Sequence, residues 1–117
     1  MSTRSQGNLG EDRAVLFLKS KKYKILDRNV RSRFGEIDIV AKDGDCIVFA
    51  EVKMRTSRAF GTPREAITPQ KITKIMLSAE WYLQMTGQSG AKYRIDALEV
   101  IVGSSEFEIV HLPNVTM

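Results

Sequence analysis

Residues 35–55 read GEIDIVAKDGDCIVFAEVKMR. Apolar runs flank an Asp-Gly pair, the composition of two strands joined by a tight turn. The pattern predicts strands over 37–42 and 46–53. Asp38, Glu51 and Lys53 stand inside them, although ionised side chains on central strands are costly to bury unless paired, hydrogen-bonded or bound to a cation. Strand side chains alternate faces. Asp38, Val40 and Lys42 therefore share one face, and Ile47, Phe49, Glu51 and Lys53 share one face of the next strand. A two-residue turn, either Asp43-Gly44 or Gly44-Asp45, keeps both sets on the same side of the sheet. In the first register Asp38 faces Phe49 and is diagonal to Glu51; in the second it lies opposite Glu51. The other face, Val48, Ala50 and Val52, is apolar and is expected to pack on a helix.

Two carboxylates ~4 Å apart repel by about 4 kcal/mol at an effective dielectric of about 20. A divalent cation reverses that sign. Oxygen donors without Cys or His partners select Mg²⁺ or Mn²⁺ over zinc. Lys53, two residues beyond Glu51, points into the same space, where it can neutralise a phosphate oxygen or orient a water. Glu11 precedes Ala14, Val15 and Leu18 at helical spacing, so it extends a core-facing stripe and aims a fourth charged group at the sheet. Taken singly, each has a plainer reading: Glu51 and Lys53 as a same-face ion pair, Asp38 as a strand-edge acceptor, Glu11 as a helix-dipole residue. The spacing D-x(12)-E-x-K across a hairpin, backed by an apolar face, points to a nuclease.

The flanking chain predicts an α/β fold, with order helix, three strands, helix, two strands. A helix is expected over 8–21, capped by Asn8, with Glu11 and Asp12 at its positive end. A strand is expected over 23–30, then a basic loop, Arg31–Gly35. Thr62-Pro63-Arg64-Glu65 reads as a capping box opening a short helical turn. Thr68-Pro69 opens a longer helix presenting Ile72, Ile75, Met76, Ala79 and Leu83 on one face and ending at Gly87. Two more strands are expected over 93–102 and 107–112.

The 117 residues are read as one domain, 1–117, with 43% hydrophobic and 27% charged residues, an ordinary globular balance. No apolar run reaches the ~20 residues of a membrane span, and the first residues lack the apolar core of a secretory signal. One cysteine, Cys46, excludes an intrachain disulfide and fits a reducing cytoplasm. One Cys and one His, His111, do not build a tetrahedral zinc site. Net charge is +4. It is divided into a +6 block over 1–34, −3 over 35–49, +4 over 50–79 and −3 over 80–117. An acidic hairpin between basic blocks suits a metal site that receives phosphate. Arg31, Arg33, Arg55, Arg58, Arg64, Lys71 and Lys74 are the candidate phosphate contacts, which position nucleic acid without reading its sequence. Arg94 and Asp96 share a strand face and are expected to pair. Trp81 and Tyr82 are expected on helix surface or in core, though either ring could stack on a base.

The segments GNLGEDRA, RNVR, GEIDIV, VFAEVKMR, FGTPREAI and RIDAL, in this order over roughly 7–100, resemble the YraN-type family of bacterial proteins. That family is similar to the PD-(D/E)XK restriction-endonuclease-like nucleases, and especially to archaeal Holliday junction resolvases. Ile95 and Ala50 depart from the family's usual phenylalanine and valine, both apolar changes. The resemblance implies a three-layer fold with a mixed sheet of about five strands flanked by helices. It also implies Mg²⁺- or Mn²⁺-dependent hydrolysis of DNA phosphodiesters, on branched or structured DNA. Carried over, Asp38, Glu51, Glu11 and the Val52 carbonyl are metal ligands and Lys53 is the catalytic lysine. A homodimer would let a small nuclease reach two strands. The alternatives are a non-catalytic nucleic-acid-binding or scaffold protein on the same fold, and a nuclease directed at RNA.

Overall fold

The computed structural model describes residues 6–55, 67–102 and 107–116. Its elements are α1 (Gln6–Ser20), β1 (Lys24–Ser32), β2 (Gly35–Asp43), β3 (Cys46–Arg55), α2 (Pro69–Met85), β4 (Tyr93–Val102) and β5 (Phe107–Leu112). The strands form one five-stranded sheet in chain order, β1 to β5. Neighbours are antiparallel except β3 and β4, which run parallel with α2 between them in sequence. The sheet is therefore mixed, and the three-layer α/β arrangement is the one expected of the nuclease-like fold.

Alternation assigns the two faces. Ala14, Val15 and Leu18 of α1 pack on Ile39, Ala41, Val48, Ala50, Leu98 and Val100. Ile75, Ala79, Tyr82 and Leu83 of α2 pack on Val40, Ile47, Phe49, Ile95 and Ala97. The β2–β3 turn takes the second of the two registers: Asp43 pairs with Cys46, and Gly44, at φ 61°, supplies the positive φ that a two-residue hairpin turn demands. The helix α2 starts as its sequence dictates. Thr68 Oγ1 accepts from the Lys71 amide at 3.2 Å, and Pro69 occupies the first turn. Gly87, at φ 72°, ends it, with the Gln88 amide donating back to the Leu83 carbonyl.

Three expectations need correction. The helix α1 already includes Gln6, so Asn8 lies inside it and does not cap it. The stripe of α2 is turned by about one position: Met76 is exposed, while Ser78 and Tyr82 are buried beside Ile75, Ala79 and Leu83. Residues 31–35 are no loop. The strands run on to Ser32 and from Gly35, leaving only Arg33 and Phe34 as a tight turn. The predicted capping box at 62–65 lies outside the described residues. No described helix is long and apolar enough to cross a membrane.

A buried ionic cluster joins the turn between α1 and β1, the end of β2, β4 and β5. Asp96, with no solvent exposure, accepts from Arg94 Nε at 2.9 Å, from His111 Nε2 at 2.7 Å and from the Asn114 amide at 2.9 Å. Arg94 also donates to Asp43 and to the Tyr23 hydroxyl, and Lys21 Nζ lies 2.9 Å from His111 Nδ1. Burial alone would push the Asp96 carboxyl up, but the bonds from His111, Arg94 and Asn114 outweigh it and hold it below the usual carboxylate range. Removing one partner of such a cluster leaves the others buried and uncompensated. Asp96→Ala is expected to lower unfolding free energy by about 3–5 kcal/mol, read from the urea midpoint. A loss below about 1 kcal/mol would show that the cluster is not holding the sheet edge.

Candidate functional site

The ladder between β2 and β3 ends at the Ile39–Ala50 pair. One residue further along, Asp38 and Glu51 would be opposite, but β2 peels away there. Two local features explain the departure. Asn29 on β1 adopts φ 52°, rare for a side chain other than glycine, in the position facing Asp38. Beyond it Ile37 joins the α2-side core, although strict alternation would set it opposite Val40. The Val52 amide, past the end of the ladder, is satisfied by Asp38 Oδ2 at 2.7 Å. Asp38 is thus fixed by a charge-assisted bond to the residue between Glu51 and Lys53.

The carboxyl groups of Asp38 and Glu51 are neighbours, close enough for each to act on the other. Burial, then the nearby charges of Glu51, Glu11 and Glu36, push Asp38 up to about 7, against the opposing pull of the Val52 amide. Glu51 is held above its usual range by burial and by Glu36, with Lys71 and Lys53 pulling it back. Half-buried Asp38 and Glu51 thus stand within electrostatic reach of exposed Glu36, with Glu11 acting on Asp38 and Lys53 and Lys71 on Glu51. Glu11, 8% exposed, arrives from α1. Asn29 Nδ2 donates to its Oε1 at 2.8 Å, and Arg28 lies 3.6 Å away, itself bonded to Asp12 at 2.8 Å. Among the described residues, no three His, Cys, Asp or Glu side chains stand close enough to enclose an ion by themselves. Asp38 and Glu51, with the Val52 carbonyl in the strand beside them, fit the demand of Mg²⁺, which takes one or two carboxylates and keeps waters and phosphate oxygens for the rest.

The cationic candidates divide. Lys71 and Lys74, from the start of α2, line a cleft of about 130 Å³ with Glu36 and Glu51. Lys53 is exposed on the strand beyond Glu51. Arg31 is exposed and pairs with Glu36 at 3.1 Å; Arg33 lies over the Phe34 ring at 4.9 Å. Arg55 turns inward, where its guanidinium stands 3.0 Å from the buried carboxylate of Glu99. That pairing makes Arg55 a brace between β3 and β4. Arg58 and Arg64 lie outside the described residues. Sequence reasoning missed Glu36, Asn29 and Glu99. Glu36 was open to detection, since it alternates with Asp38 in the same strand. The role of Asn29 depends on a left-handed backbone that no spacing reveals.

The crowding of Asp38 has a thermodynamic sign. Its folded pKa lies above its unfolded one, so the folded state binds the extra proton between about pH 4 and 7. Stability contributed by protonated Asp38 is present below that window and lost as pH rises through it. Asp38→Asn, without added metal, is expected to raise stability at pH 8 by on the order of 2 kcal/mol after allowance for solvent screening. The gain should vanish near pH 4. Thermal unfolding of both proteins across this range checks it, and a gain independent of pH would contradict the crowding.

The model of the uncharacterised protein family UPF0102 matches residues 10–100, the span that contains Glu11, Asp38, Glu51 and Lys53. The chain is 48% identical over 100 residues to a UPF0102 protein of Caldicellulosiruptor saccharolyticus, covering 86% of this chain and 85% of that one. It is 40% identical over 111 residues to one from Syntrophomonas wolfei, covering 95% and 96%. With a Geobacter metallireducens relative it shares 43% over 114 residues, 97% and 93% of the two chains. Matches of this extent span the hairpin, the site and both core faces together, and the chain belongs to the UPF0102 family, the YraN-type family that its motifs resemble.

Proposed function

We propose that the protein is a metal-dependent endonuclease that hydrolyses DNA phosphodiesters. The observation that carries this reading is the Asp38–Glu51 pair: two half-buried neighbouring carboxyl groups, Asp38 fixed by the Val52 amide and crowded by Glu11 and Glu36, with Lys53 and Lys71 acting on Glu51. Such a pair is electrostatically unfavourable alone and becomes favourable around a cation. The resemblance to PD-(D/E)XK nucleases adds to it independently. A Mg²⁺ or Mn²⁺ ion held by Asp38, Glu51 and the Val52 carbonyl, with Glu11 beside them, would polarise the phosphate and make a water more acidic. Lys53 orients the attacking water or offsets charge on a phosphate oxygen. Lys71 and Lys74 hold the backbone at the mouth of the cleft. Hydrolysis forms one P–O bond to water, breaks one to the sugar, and leaves a proton for solvent. Among the described residues no side chain is set out as a base reader, so the reading is of structure-directed cutting at a branch or other irregularity.

Cleavage of linear, nicked, flapped and four-way DNAs with Mg²⁺, Mn²⁺ or EDTA is the test. Cutting is expected with metal and not with EDTA. Lys53→Ala is expected to keep metal binding and lose turnover by about 10²–10⁴, whereas Glu51→Gln loses metal affinity and cleavage together. Full cleavage by Lys53→Ala would remove the lysine from the chemistry. If wild type binds no divalent ion and cuts no substrate, a binding or scaffold role replaces the enzyme.

Affinity for DNA is expected to fall steeply with salt, and replacing Lys71 and Lys74 together by alanine should reduce the salt slope by about two phosphate contacts. Arg55→Ala, by contrast, should act through stability, because its partner Glu99 is buried. An unchanged slope in the double lysine variant would move the phosphate path elsewhere.

A further inference from the structure

A second, wider cleft adjoins the Glu51 site without containing Asp38 or Glu51. It has a volume of about 780 Å³, within the size range of sites that receive small organic groups. It opens between the Arg33–Phe34 turn, the second half of α2 and the segment 89–93. Phe34 lines both this cleft and the small one that holds Glu51, Lys71 and Lys74, so the two are neighbours across one side chain.

Its walls combine aromatic rings with leucines and polar side chains. Phe34, Trp81 and Tyr93 line it, and Arg33 lies over the Phe34 ring. Trp81 also packs against the α2-side core, which fixes the ring while leaving part of it on the cleft. Glu80 lines the same space, with its carboxylate accepting from the Tyr93 hydroxyl at 3.2 Å. Arg33 lines this cleft, and Lys71 and Lys74 line the small one beyond Phe34. Cationic approaches leading to π faces are the arrangement by which proteins take single strands: charge follows the backbone and rings stack on bases. A paired base in a duplex has no free face to offer them.

We propose that this cleft receives an unpaired base of the DNA, with the adjoining phosphates led past Lys71 and Lys74 to the Glu51 site. The substrate class is therefore DNA bearing a single-stranded segment, such as a flap, gap or opened junction arm. This rests on the phosphodiester reading of the carboxylate site.

Trp81 is the sole tryptophan, so its fluorescence reports on the cleft directly. The experiment titrates the protein in EDTA with an oligothymidylate, with a blunt duplex of equal length and with inorganic polyphosphate. Binding is followed in parallel by anisotropy of labelled DNA. The single strand is expected to quench Trp81 saturably, the duplex weakly and polyphosphate not at all. Phe34→Ala keeps the fluorophore and sits in a surface turn. It should weaken single-strand binding roughly 5- to 150-fold with a smaller effect on the duplex. Equal quenching by duplex or polyphosphate, single-strand binding with a silent tryptophan, or no binding at all would overturn the proposal. Metal-dependent cleavage alongside a silent tryptophan overturns the cleft and leaves the nuclease reading standing. Saturable quenching in a protein that never cuts keeps the cleft and removes the enzyme.

Discussion

The bond from the Val52 amide to Asp38 is the point on which the rest of the molecule turns. A strand that leaves a ladder strands the backbone groups of its former neighbour, and a buried amide without a partner costs about 1–3 kcal/mol. Asp38 meets that need at 2.7 Å. The same bond ties a carboxylate to the residue between Glu51 and Lys53, so the polar cluster is assembled by backbone accounting and not by side-chain reach alone. It also carries a cost, because the acceptor is half-buried among other acids and holds its proton up to about 7. Stability would be served by a neutral acceptor at this position. A carboxylate there is consistent with selection for something other than stability.

The two ends of the sheet show the same side-chain chemistry under opposite conditions. Asp96, buried, and Asp38, half-buried, both accept a backbone amide. Asp96 also has Arg94 and His111, and its carboxyl is held below the ordinary range. Asp38 has Glu51, Glu11 and Glu36 around it, and its carboxyl is pushed up. The first is a completed network of donors and acceptors, which can hold α1 and the last strands in place without further help. The second is an uncompleted one, short of positive charge. Burial and like charges combine there, which is the condition that the proposed metal-dependent reading starts from.

Much of this was legible in the sequence. The hairpin, its even alternation and the apolar backing face followed from 35–55 alone, and the last two strands fell on their observed bounds, Tyr93–Val102 and Phe107–Leu112. The α2 cap at Thr68 and its end at Gly87 were readable because each rests on local backbone chemistry. The register was left between two turns, and Gly44 decided it. The bend at Asn29 was invisible, since left-handed asparagine has no spacing signature. Arg55 was misplaced for a different reason. A basic residue after a catalytic strand suggests phosphate, and only the parallel neighbour β4 brings Glu99 within 3.0 Å of it. Non-local pairing of that kind is what a single strand's pattern does not contain.

The bend that makes the site also makes the cleft beside it. Once β2 leaves β3 at Asp38, Ile37 crosses to the α2 side and the β1–β2 hairpin leans over that helix. Its tip is then fastened there: Ser32 Oγ lies 2.9 Å from Oγ of buried Ser78 and accepts from the Phe34 amide at 3.1 Å. The fastening gives the buried serine in the α2 stripe a hydrogen-bond partner. It places Phe34 between the carboxylates and Trp81, so that one side chain borders both spaces. A straight β2, paired with β3 to its end, would lay the hairpin flat in the sheet. Asp38 would lose its hold on the Val52 amide and Phe34 its place over α2, so the chemical site and the adjoining cleft both depend on the left-handed backbone at Asn29.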